Sequence, residues 1–359
     1  MVDLSAFFAV PPFAWGHDEK AVHMLKALGE LQAHHTEACP AYRKICRLLG
    51  GEALPRTTEE YPFFPVRLFK MYALKSIGPE QALTTMTSSG TTGQAVSKIF
   101  LDRDTAAAQS RTLAHIVRNF TGNRRLPMVI IDSRAALKDP KTFSARGAGI
   151  LGFSNFGFDH FYALDEHMDL DVEGLLAHVG KHRAEPIFFF GFTFMIWRHF
   201  CETLQRRSVA LNLDNALVIH GGGWKKMSEQ AVGNEVFRDC LRKVCGPNTR
   251  VHNFYGMVEQ TGSVYMECEC GCLHASNFSQ IVIRDPVSFE PLPAGRQGLV
   301  ETISVLPWSY PGQALLTEDL GELLGEDDCR CKRKGRYFVI HGRVPKSETR
   351  GCSDTYALG

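Results

Sequence analysis

The sequence has no excess of charge of either sign. Its 359 residues include 40 Lys and Arg against 39 Asp and Glu, which gives a formal net charge of +1. A nucleic-acid-binding domain needs a basic surface that neutralises phosphates. The composition therefore predicts no nucleic-acid partner, and Arg118, Arg124 and Arg125 are interpreted as a solvated helix end and loop.

The sequence also lacks a long hydrophobic run. Its most apolar stretch spans only residues 186–197 and contains Gly191, whereas a membrane helix needs about 20 apolar residues. We expect a buried strand that leads into a helix, and no membrane insertion. The acidic start at Asp3, followed by Pro11 and Pro12, is unlike a secretory signal, so we expect a cytoplasmic protein.

Cysteine is present, but in a pattern that disfavours disulfides. A long chain in a reducing compartment seldom uses a disulfide scaffold, and clustered cysteines there indicate metal binding or catalysis. Sulfur and imidazole ligands on two hairpin-like turns suit a structural zinc ion, the alternative being free thiols. The spacing does not decide which four of the six residues would bind. Besides Cys272, the candidate ligands are Cys268, Cys270, His274, Cys329 and Cys331.

Strands alternate with helices in the pattern of an α/β fold. Apolar runs at 128–132, 186–190 and 216–219 indicate buried parallel strands, each joined to a helical segment. Ligands of such folds bind at the carboxyl ends of the strands. From about residue 260, short β-like runs alternate with turns, which predicts a β-rich part of the same domain and no independent second domain.

Two helices are predicted from local signals. Residues 17–50 have helical apolar spacing, and Asp104 is predicted to cap a helix that runs towards Val117. The expected apolar positions of the first helix are Val22, Leu25, Leu28 and Leu31. Histidines outside the cysteine clusters, including His34 and His35, are interpreted as surface or core residues.

The strongest motif follows a predicted strand at 82–86 and reads Thr-Ser-Ser-Gly-Thr-Thr-Gly-Gln from Thr87. Its glycines allow a sharp turn, and its hydroxyls and successive N–H groups can face phosphate oxygens. Lys98 adds a point charge. The segment is not a Walker loop, because no Gly-Lys-Ser/Thr ends it. The predicted phosphate-binding residues are Ser88, Ser89, Gly90, Thr91, Thr92, Gly93 and Lys98.

A second glycine motif, His-Gly-Gly-Gly-Trp-Lys at 220–225, directly follows the strand predicted at 216–219. Glycines at a strand end let a flat ligand such as adenine lie against the backbone. The rival interpretation is the oxyanion hole of lipases and esterases. That interpretation requires a downstream Gly-x-Ser-x-Gly nucleophile motif, which the chain lacks, so it is excluded.

Three shorter motifs follow. At 253–261, an aromatic residue can stack on a base, and Glu259 can hold Mg²⁺ near phosphate. At 317–321, a carboxylate before a glycine turn can bind ribose hydroxyls, and a predicted strand ends in Gly-Arg at Arg343. The segment 147–152 matches a dinucleotide-binding fingerprint, but the polar residues before it are no strand, so no NAD site is predicted.

In their order along the chain, these motifs resemble the adenylate-forming superfamily and, more closely, the acyl-protein synthetase (LuxE-type) family. The resemblance runs from about Pro62 to the C-terminus and includes the segments Pro62–Lys70 and Ser347–Asp354. It implies a fold like the N-terminal domain of adenylate-forming enzymes, with a β-rich, zinc-binding C-terminal part. Related phenylacetate-CoA-ligase-like enzymes are similar in carrying a cysteine/histidine zinc site in this region.

The same resemblance implies a function. An AMP-forming ligase would activate a carboxylic acid, expected to be a fatty acid, with ATP and Mg²⁺. It would then form a thioester on its own Cys352 and pass the acyl group to a partner such as a fatty-acyl reductase. In the implied ATP site, Ser88–Gly93 would cradle the phosphates, and Glu259 would coordinate Mg²⁺. Asp319 would hold the ribose, and Arg343 would assist at a hinge. The residues implied around adenine are Gly221, Gly222, Gly223 and Tyr255, and Gly256 is also implied in the ATP site.

The sequence departs from the wider superfamily in two places. Few residues follow Arg343, so after a domain at 1–342 we expect a short tail at 343–359, carrying Cys352, in place of the lid domain and its late lysine. Lys225 and Lys98 are the candidates for the cation that assists adenylation. Glu318 stands where the ribose motif more commonly has glycine.

Two alternative functions remain open. The chain could be an acyl-CoA or aryl-CoA ligase, in which coenzyme A accepts the acyl group and Cys352 is incidental. It could also be a non-catalytic adenylate-binding scaffold for a reductase partner, an interpretation that the missing lid lysine favours.

Overall fold

The computed structural model describes residues 1–49, 55–88, 96–137, 145–224 and 231–344. Within these ranges the α-helices are α1 (Ser5–Ala9), α2 (His17–Ala38), α3 (Pro40–Leu48), α4 (Leu68–Met71), α5 (Arg103–Thr121), α6 (Ala145–Ser154), α7 (Val172–Lys181), α8 (Thr193–Met195), α9 (Glu202–Arg206) and α10 (Asn234–Cys245). A π-helical turn, Ile196–Cys201, joins α8 to α9.

The strands in the same ranges are β1 (Phe64–Pro65), β2 (Thr84–Thr87), β3 (Lys98–Leu101), β4 (Leu126–Ser133), β5 (Gly157–Leu164), β6 (Ile187–Phe192), β7 (Ala216–Gly221), β8 (Arg250–Tyr255), β9 (Tyr265–Glu267), β10 (Leu273–His274), β11 (Ser279–Arg284), β12 (Gln297–Ser304), β13 (Ala314–Glu326) and β14 (Arg336–Arg343).

The chain forms two units. Within the described ranges, the first unit draws on residues 1–88, 96–119 and 256–344, and the second on Phe120–Tyr255. The β-rich part that the sequence predicts from about residue 260 thus belongs to the same unit as the N-terminal helices.

The second unit contains a parallel sheet. β4 pairs with β5 and β6, β6 pairs with β7, and β7 pairs with β8. Every residue of β6 and β7 is buried, which explains why both read as continuous apolar runs. The α/β prediction is confirmed here, as is the prediction that residues 186–197 form a buried strand leading into a helix.

The first unit contains an antiparallel sheet in the order β11-β12-β13-β14-β10-β9, with β1 parallel to β13. The separate hairpin of β2 and β3 belongs to the same unit. The core packs N-terminal side chains such as Phe7, Trp15 and Leu28 against Phe278 and Ile303 from the sheet. Burial of these large apolar groups is the main favourable contribution to the stability of this unit.

Two sequence-based predictions of helices need correction. The helix predicted over 17–50 is two helices, because Pro40 opens α3 directly after Cys39. Its buried stripe includes Leu28, whereas Val22 is 69% exposed. The helix after β3 is capped by Asp102, whose Oδ1 accepts from the amide of Thr105 at 2.8 Å, and not by Asp104.

No helix among the described residues combines the length and the apolarity that crossing a membrane requires. The segment 147–152, which matches a dinucleotide fingerprint, lies inside α6.

Candidate functional site

Two short strands hold the ends of the predicted phosphate loop together. β2 ends at Thr87 and β3 begins at Lys98, and these residues are cross-strand partners. Next to them, the amide of Ser88 donates to the carbonyl of Ser97 at 3.2 Å, and the amide of Ser97 donates to the Ser88 hydroxyl at 2.9 Å. The Ser/Thr/Gly segment therefore starts and ends at one closed base.

Glu259 lies beside this base, in the 3-10 turn Val258–Gln260. Glu259 is 4% exposed, and its Oε1 has no hydrogen-bond partner among the described residues. Burial raises the pKa of Glu259, while the nearby Ser97 and Arg343 act to lower it. A buried carboxylate with an unpaired oxygen fits a ligand for a hard cation such as Mg²⁺.

Gln260 fixes the turn that carries Glu259. Its amide nitrogen donates to the carbonyl of Thr302 at 3.1 Å and to that of Gly312 at 2.8 Å. Neither Gln260 nor Ser97 was predicted from the sequence as a site residue. Gln260 directly follows the predicted acid, which is the only signal that would have marked it, and Ser97 has no signal at all.

β13 and β14 place the predicted ribose and hinge residues side by side. Asp319 and Arg343 are cross-strand partners, and the Nε of Arg343 donates to Oδ1 of Asp319 at 3.3 Å. The prediction of a glycine turn here was wrong, because Thr317–Gly321 lies inside β13. The register of this strand shifts between Leu320 and Gly321, and such irregularities re-aim side chains.

In the second unit, the predicted adenine-flanking residues lie at neighbouring strand ends. Gly221 pairs with Phe254 in the β7–β8 register, so Gly222 and Tyr255 continue the same edge. Gly222 has a φ of +85°, and a Cβ there would lie 2.9 Å from the ring of Phe192. A Cβ on Gly221 would lie 2.6 Å from the ring of Phe254. Both positions therefore favour glycine, because the rings of Phe254 and Phe192 occupy the space that a Cβ would need.

His220 supports this edge from behind. It is 2% exposed, its Nδ1 lies 2.9 Å from the Thr193 hydroxyl, and that hydroxyl donates to the carbonyl of Gly221 at 3.1 Å. Burial lowers the pKa of His220 to about 3, so the ring is neutral at physiological pH. The neutral ring therefore hydrogen-bonds to Thr193, which in turn donates to the carbonyl of Gly221.

Several predicted site residues cannot be placed. Ser88 and Gly256 are described, and Lys98 lies on β3 with its side chain exposed. The predicted roles of the others remain predictions, since they lie outside the described residues: Ser89, Gly90, Thr91, Thr92, Gly93, Lys225 and Cys352.

Four of the six candidate zinc ligands come together in the first unit. Cys268, His274, Cys329 and Cys331 each offer an atom within 4.8 Å of the others. The Sγ atoms of Cys268 and Cys329 are 3.9 Å apart, and Nε2 of His274 is 3.4 Å from Sγ of Cys331. A tetrahedral zinc ion with ordinary bond lengths needs S–S and S–N separations of about 3.8 and 3.5 Å. The donor set and spacing therefore fit zinc.

The ionisation of these groups is consistent with that fit. Burial raises the pKa of the Cys268 thiol to about 12 and lowers that of His274 to about 4. The imidazole is thus in the neutral form that binds metals, and a bound ion would deprotonate the thiols. Cys270 was predicted among the ligands, but the structure does not group it, or Cys272, with these four.

Comparison with known proteins agrees with these observations. Residues 2–358 match the family model described as acyl-protein synthetase, LuxE. A long-chain-fatty-acid–luciferin-component ligase of Vibrio harveyi is 23% identical over 363 residues, covering 96% of this chain and 90% of the relative. The ligase of the same name from Aliivibrio fischeri is 21% identical over 329 residues, covering 88% and 82%.

The fold is similar to that of adenylate-forming ligases. The crystal structure of an open conformation of 2-hydroxyisobutyryl-CoA ligase, in complex with 2-HIB-AMP and CoA, superposes with a TM-score of 0.70 at 15% identity. It covers 94% of this chain and 78% of that one. At this identity the likeness concerns the fold. With the family model matching nearly the whole sequence, the chain belongs to the acyl-protein synthetase (LuxE) family and is an enzyme of the ligase class.

Proposed function

We propose that this chain activates a fatty acid with ATP as an acyl-adenylate and then carries the acyl group as a thioester on Cys352. The observation that carries the proposal is the buried Glu259 carboxylate, whose Oε1 has no partner among the described residues, at the base of the Ser/Thr/Gly loop. Family membership, the names of the two relatives and the glycine edge on β7 support it.

In the first step, a carboxylate oxygen of the acid attacks the α-phosphorus of ATP. The bond to pyrophosphate breaks, and acyl-AMP forms. Glu259 would hold a Mg²⁺ ion, which supplies charge neutralisation to the phosphates. The Ser/Thr/Gly loop would add N–H and hydroxyl donors. Gly221 and Gly222 would let adenine approach the backbone, and Asp319, oriented by Arg343, would accept from ribose hydroxyls.

In the second step, the Cys352 thiolate attacks the acyl carbonyl carbon. The bond to AMP breaks, AMP leaves, and the proton of the thiol has gone to solvent. The thioester remains reactive towards an acceptor. Lys346 and Arg350, which are close to Cys352 in the sequence, would favour the thiolate. The acceptor we propose is a partner protein such as a fatty-acyl reductase.

The cysteine cluster would contribute through structure. We propose that Cys268, His274, Cys329 and Cys331 bind a structural zinc ion that ties β10 to the two cysteine-bearing turns. Purified protein should then contain about one zinc per chain. Cys329→Ser should lose the metal, and Cys272→Ser, outside the cluster, should retain it. Equal zinc contents in both variants would show that the four-residue cluster is not the site.

The test of the function is intact-protein mass spectrometry after incubation with ATP, Mg²⁺ and fatty acids of graded chain length. We expect an acyl adduct that hydroxylamine removes. Cys352→Ser should lose the adduct but keep acid-dependent exchange of pyrophosphate into ATP, because only the second step needs the thiol. Cys272→Ser is the matched control, since it removes a half-buried thiol outside the zinc cluster.

Two outcomes would contradict the proposal. AMP release that requires coenzyme A, without any protein adduct, would make the chain a CoA ligase. Absence of both the adduct and pyrophosphate exchange, with every acid tried, would favour a non-catalytic nucleotide-binding scaffold.

A further inference from the structure

A second group of side chains that could bind a metal lies in the second unit and includes none of the residues named above. Asp159, His178 and His182 each offer an atom within 4.8 Å of the other two. Nε2 of His182 is 2.7 Å from Oδ2 of Asp159, and the two imidazole rings are 5.1 Å apart between centroids. We propose that these three residues form a site for a divalent transition-metal ion such as Zn²⁺ or Ni²⁺.

The carboxylate reaches the site through a β-bulge. Between its pairings with Pro127 and Val129, β5 advances from Phe158 to Phe161 and thus has one residue more than β4. Within this bulge, Asp159 has a φ of +47°, which is uncommon for a residue other than glycine. A bulge redirects a side chain that regular alternation would send elsewhere. Here it points the carboxylate of Asp159 at His182.

The two histidines come from the end of one helix. His178 and His182 are four residues apart at the C-terminus of α7, a spacing that places both rings on one face. Helix dipoles favour cations at this end. The ring of Phe161 stacks on His178 at 5.4 Å, and that of Phe158 packs edge-on against His182 at 5.7 Å. Both rings therefore pack against aromatic side chains of β5.

One observation distinguishes this group from an ordinary surface ion pair. Nε2 of His178 is buried and has no hydrogen-bond partner among the described residues. A buried nitrogen without a partner has a desolvation cost, and a metal bond would offset it. Two imidazoles and one carboxylate are the ligands preferred by zinc and nickel, and not by Mg²⁺ or Ca²⁺.

The side chain of Asp159 is 39% exposed, which leaves room for water as a further ligand. Ligand atoms around such an ion lie about 3.3 Å apart. The present spread, within 4.8 Å, would close by rotation of the partly exposed His178 and Asp159 side chains.

Lys181 opposes the metal. Its Nζ lies 2.6 Å from the same Oδ2 of Asp159 that faces His182. A bound ion must displace this ammonium group, so the two cations compete for one carboxylate. The proposal therefore makes an unusual prediction: removal of Lys181 should strengthen metal binding, whereas removal of a ligand should weaken it.

The test is calorimetric titration of Ni²⁺ into the full chain after the cysteine cluster has been loaded with one equivalent of Zn²⁺. We expect one further ion to bind. His178→Ala and Asp159→Asn should each weaken it by at least tenfold, because even the loss of a residue that only orients a ligand costs ~10- to 100-fold. Lys181→Ala should strengthen it, on the order of tenfold. His167→Ala is the control, an exposed histidine outside the group.

Thermal unfolding and a variant of the cysteine cluster separate loss of metal binding from loss of folding. The unfolding temperature without Ni²⁺ should be nearly the same in all variants, and Ni²⁺ should raise it in wild type and Lys181→Ala more than in His178→Ala. Cys331→Ser should still bind Ni²⁺ at this site. Equal Ni²⁺ affinities in wild type, His178→Ala and Asp159→Asn would overturn the proposal, as would weaker binding in Lys181→Ala.

Discussion

Glu259 combines burial with an unpaired oxygen, and these properties have opposite effects on stability and activity. A buried carboxylate whose pKa is raised by burial destabilises the folded state at neutral pH, because ionisation is easier in the unfolded chain. Glutamine has the same shape and carries no charge. The protein therefore has a glutamate, at a cost in stability, at a position where we propose that the charge binds Mg²⁺.

We expect Glu259→Gln to lower acid-dependent pyrophosphate exchange by ~100-fold or more, because it removes a charge that supports the phosphates, while the free energy of unfolding stays equal or rises. The control is Glu322→Gln, whose carboxylate lies 3.3 Å from His341 on the partly exposed part of β13. A parallel loss of stability and activity in Glu259→Gln would mean that the carboxylate has a structural role only.

His35 gives the folded state a defined pH dependence. It is completely buried, with Nδ1 2.7 Å from the Ser76 hydroxyl and Nε2 3.0 Å from the carbonyl of Pro307. A carbonyl only accepts, so Nε2 carries the proton and Nδ1 accepts from Ser76. Burial, together with the neighbouring His34, lowers the pKa of His35 to about 3. The ring is therefore neutral in the folded protein.

This shift predicts a loss of stability in acid. The unfolded chain binds a proton at His35 near its ordinary pKa of 6.5, whereas the folded chain binds it only near 3. The stability contribution is complete above pH 6.5 and decreases as the pH falls towards 3. In urea unfolding between pH 7 and 4, His35→Gln should lose a few kcal/mol less than wild type (about 1.4 per pH unit at most). Identical slopes for His35→Gln, wild type and the exposed control His167→Gln would contradict this.

Among the elements, β7 is followed by Gly222, whose backbone conformation is strained for any residue that has a side chain. Gly222→Ala would force a residue with a Cβ into a φ of +85° and against Phe192. We expect a loss of about 1–2 kcal/mol of stability and weaker ATP binding, measured by thermal unfolding and calorimetry. Gly180→Ala, in α7 with no atom near its Cβ, should be neutral or stabilising. Unchanged ATP affinity in Gly222→Ala would mean that adenine does not use this edge.

The elements also show what a sequence can predict. β4, β6 and β7 are continuous apolar runs because both of their faces are buried, and the sequence analysis predicted each of them. β13 was missed because this half-buried strand contains Glu318, Asp319 and Gly321, a composition that favours turns.

The site residues divide in the same way. Glu259, Asp319 and Gly222 belong to motifs, and the sequence indicated them. The pairing of Ser97 with Ser88, and the exclusion of Cys270 from the metal cluster, depend on contacts between segments. Spacing along the chain carries no information about such contacts.

For the molecule as a whole, the N-terminal segment is part of the core. Phe7 is 2% exposed, and its ring is 5.0 Å from Trp15 and 5.4 Å from Phe278. Phe7→Ala should cost about 3–5 kcal/mol in the free energy of unfolding, because it removes a large buried ring. Val22→Ala, at a 69% exposed position, should change it by less than about 0.5 kcal/mol. Equally small changes in the free energy of unfolding for Phe7→Ala and Val22→Ala would contradict the placement of Phe7 in the core.

The division of the chain into units has a consequence for synthesis on the ribosome. Among the described residues, the second unit is drawn from the continuous stretch Phe120–Tyr255, whereas the first combines residues 1–88 with residues 256–344. Translation proceeds at about 5–20 residues per second, so the N-terminal helices wait on the order of 10–50 seconds for the strands that bury them. During that interval their apolar faces are exposed, and nascent chains should depend on chaperones until β14 has emerged.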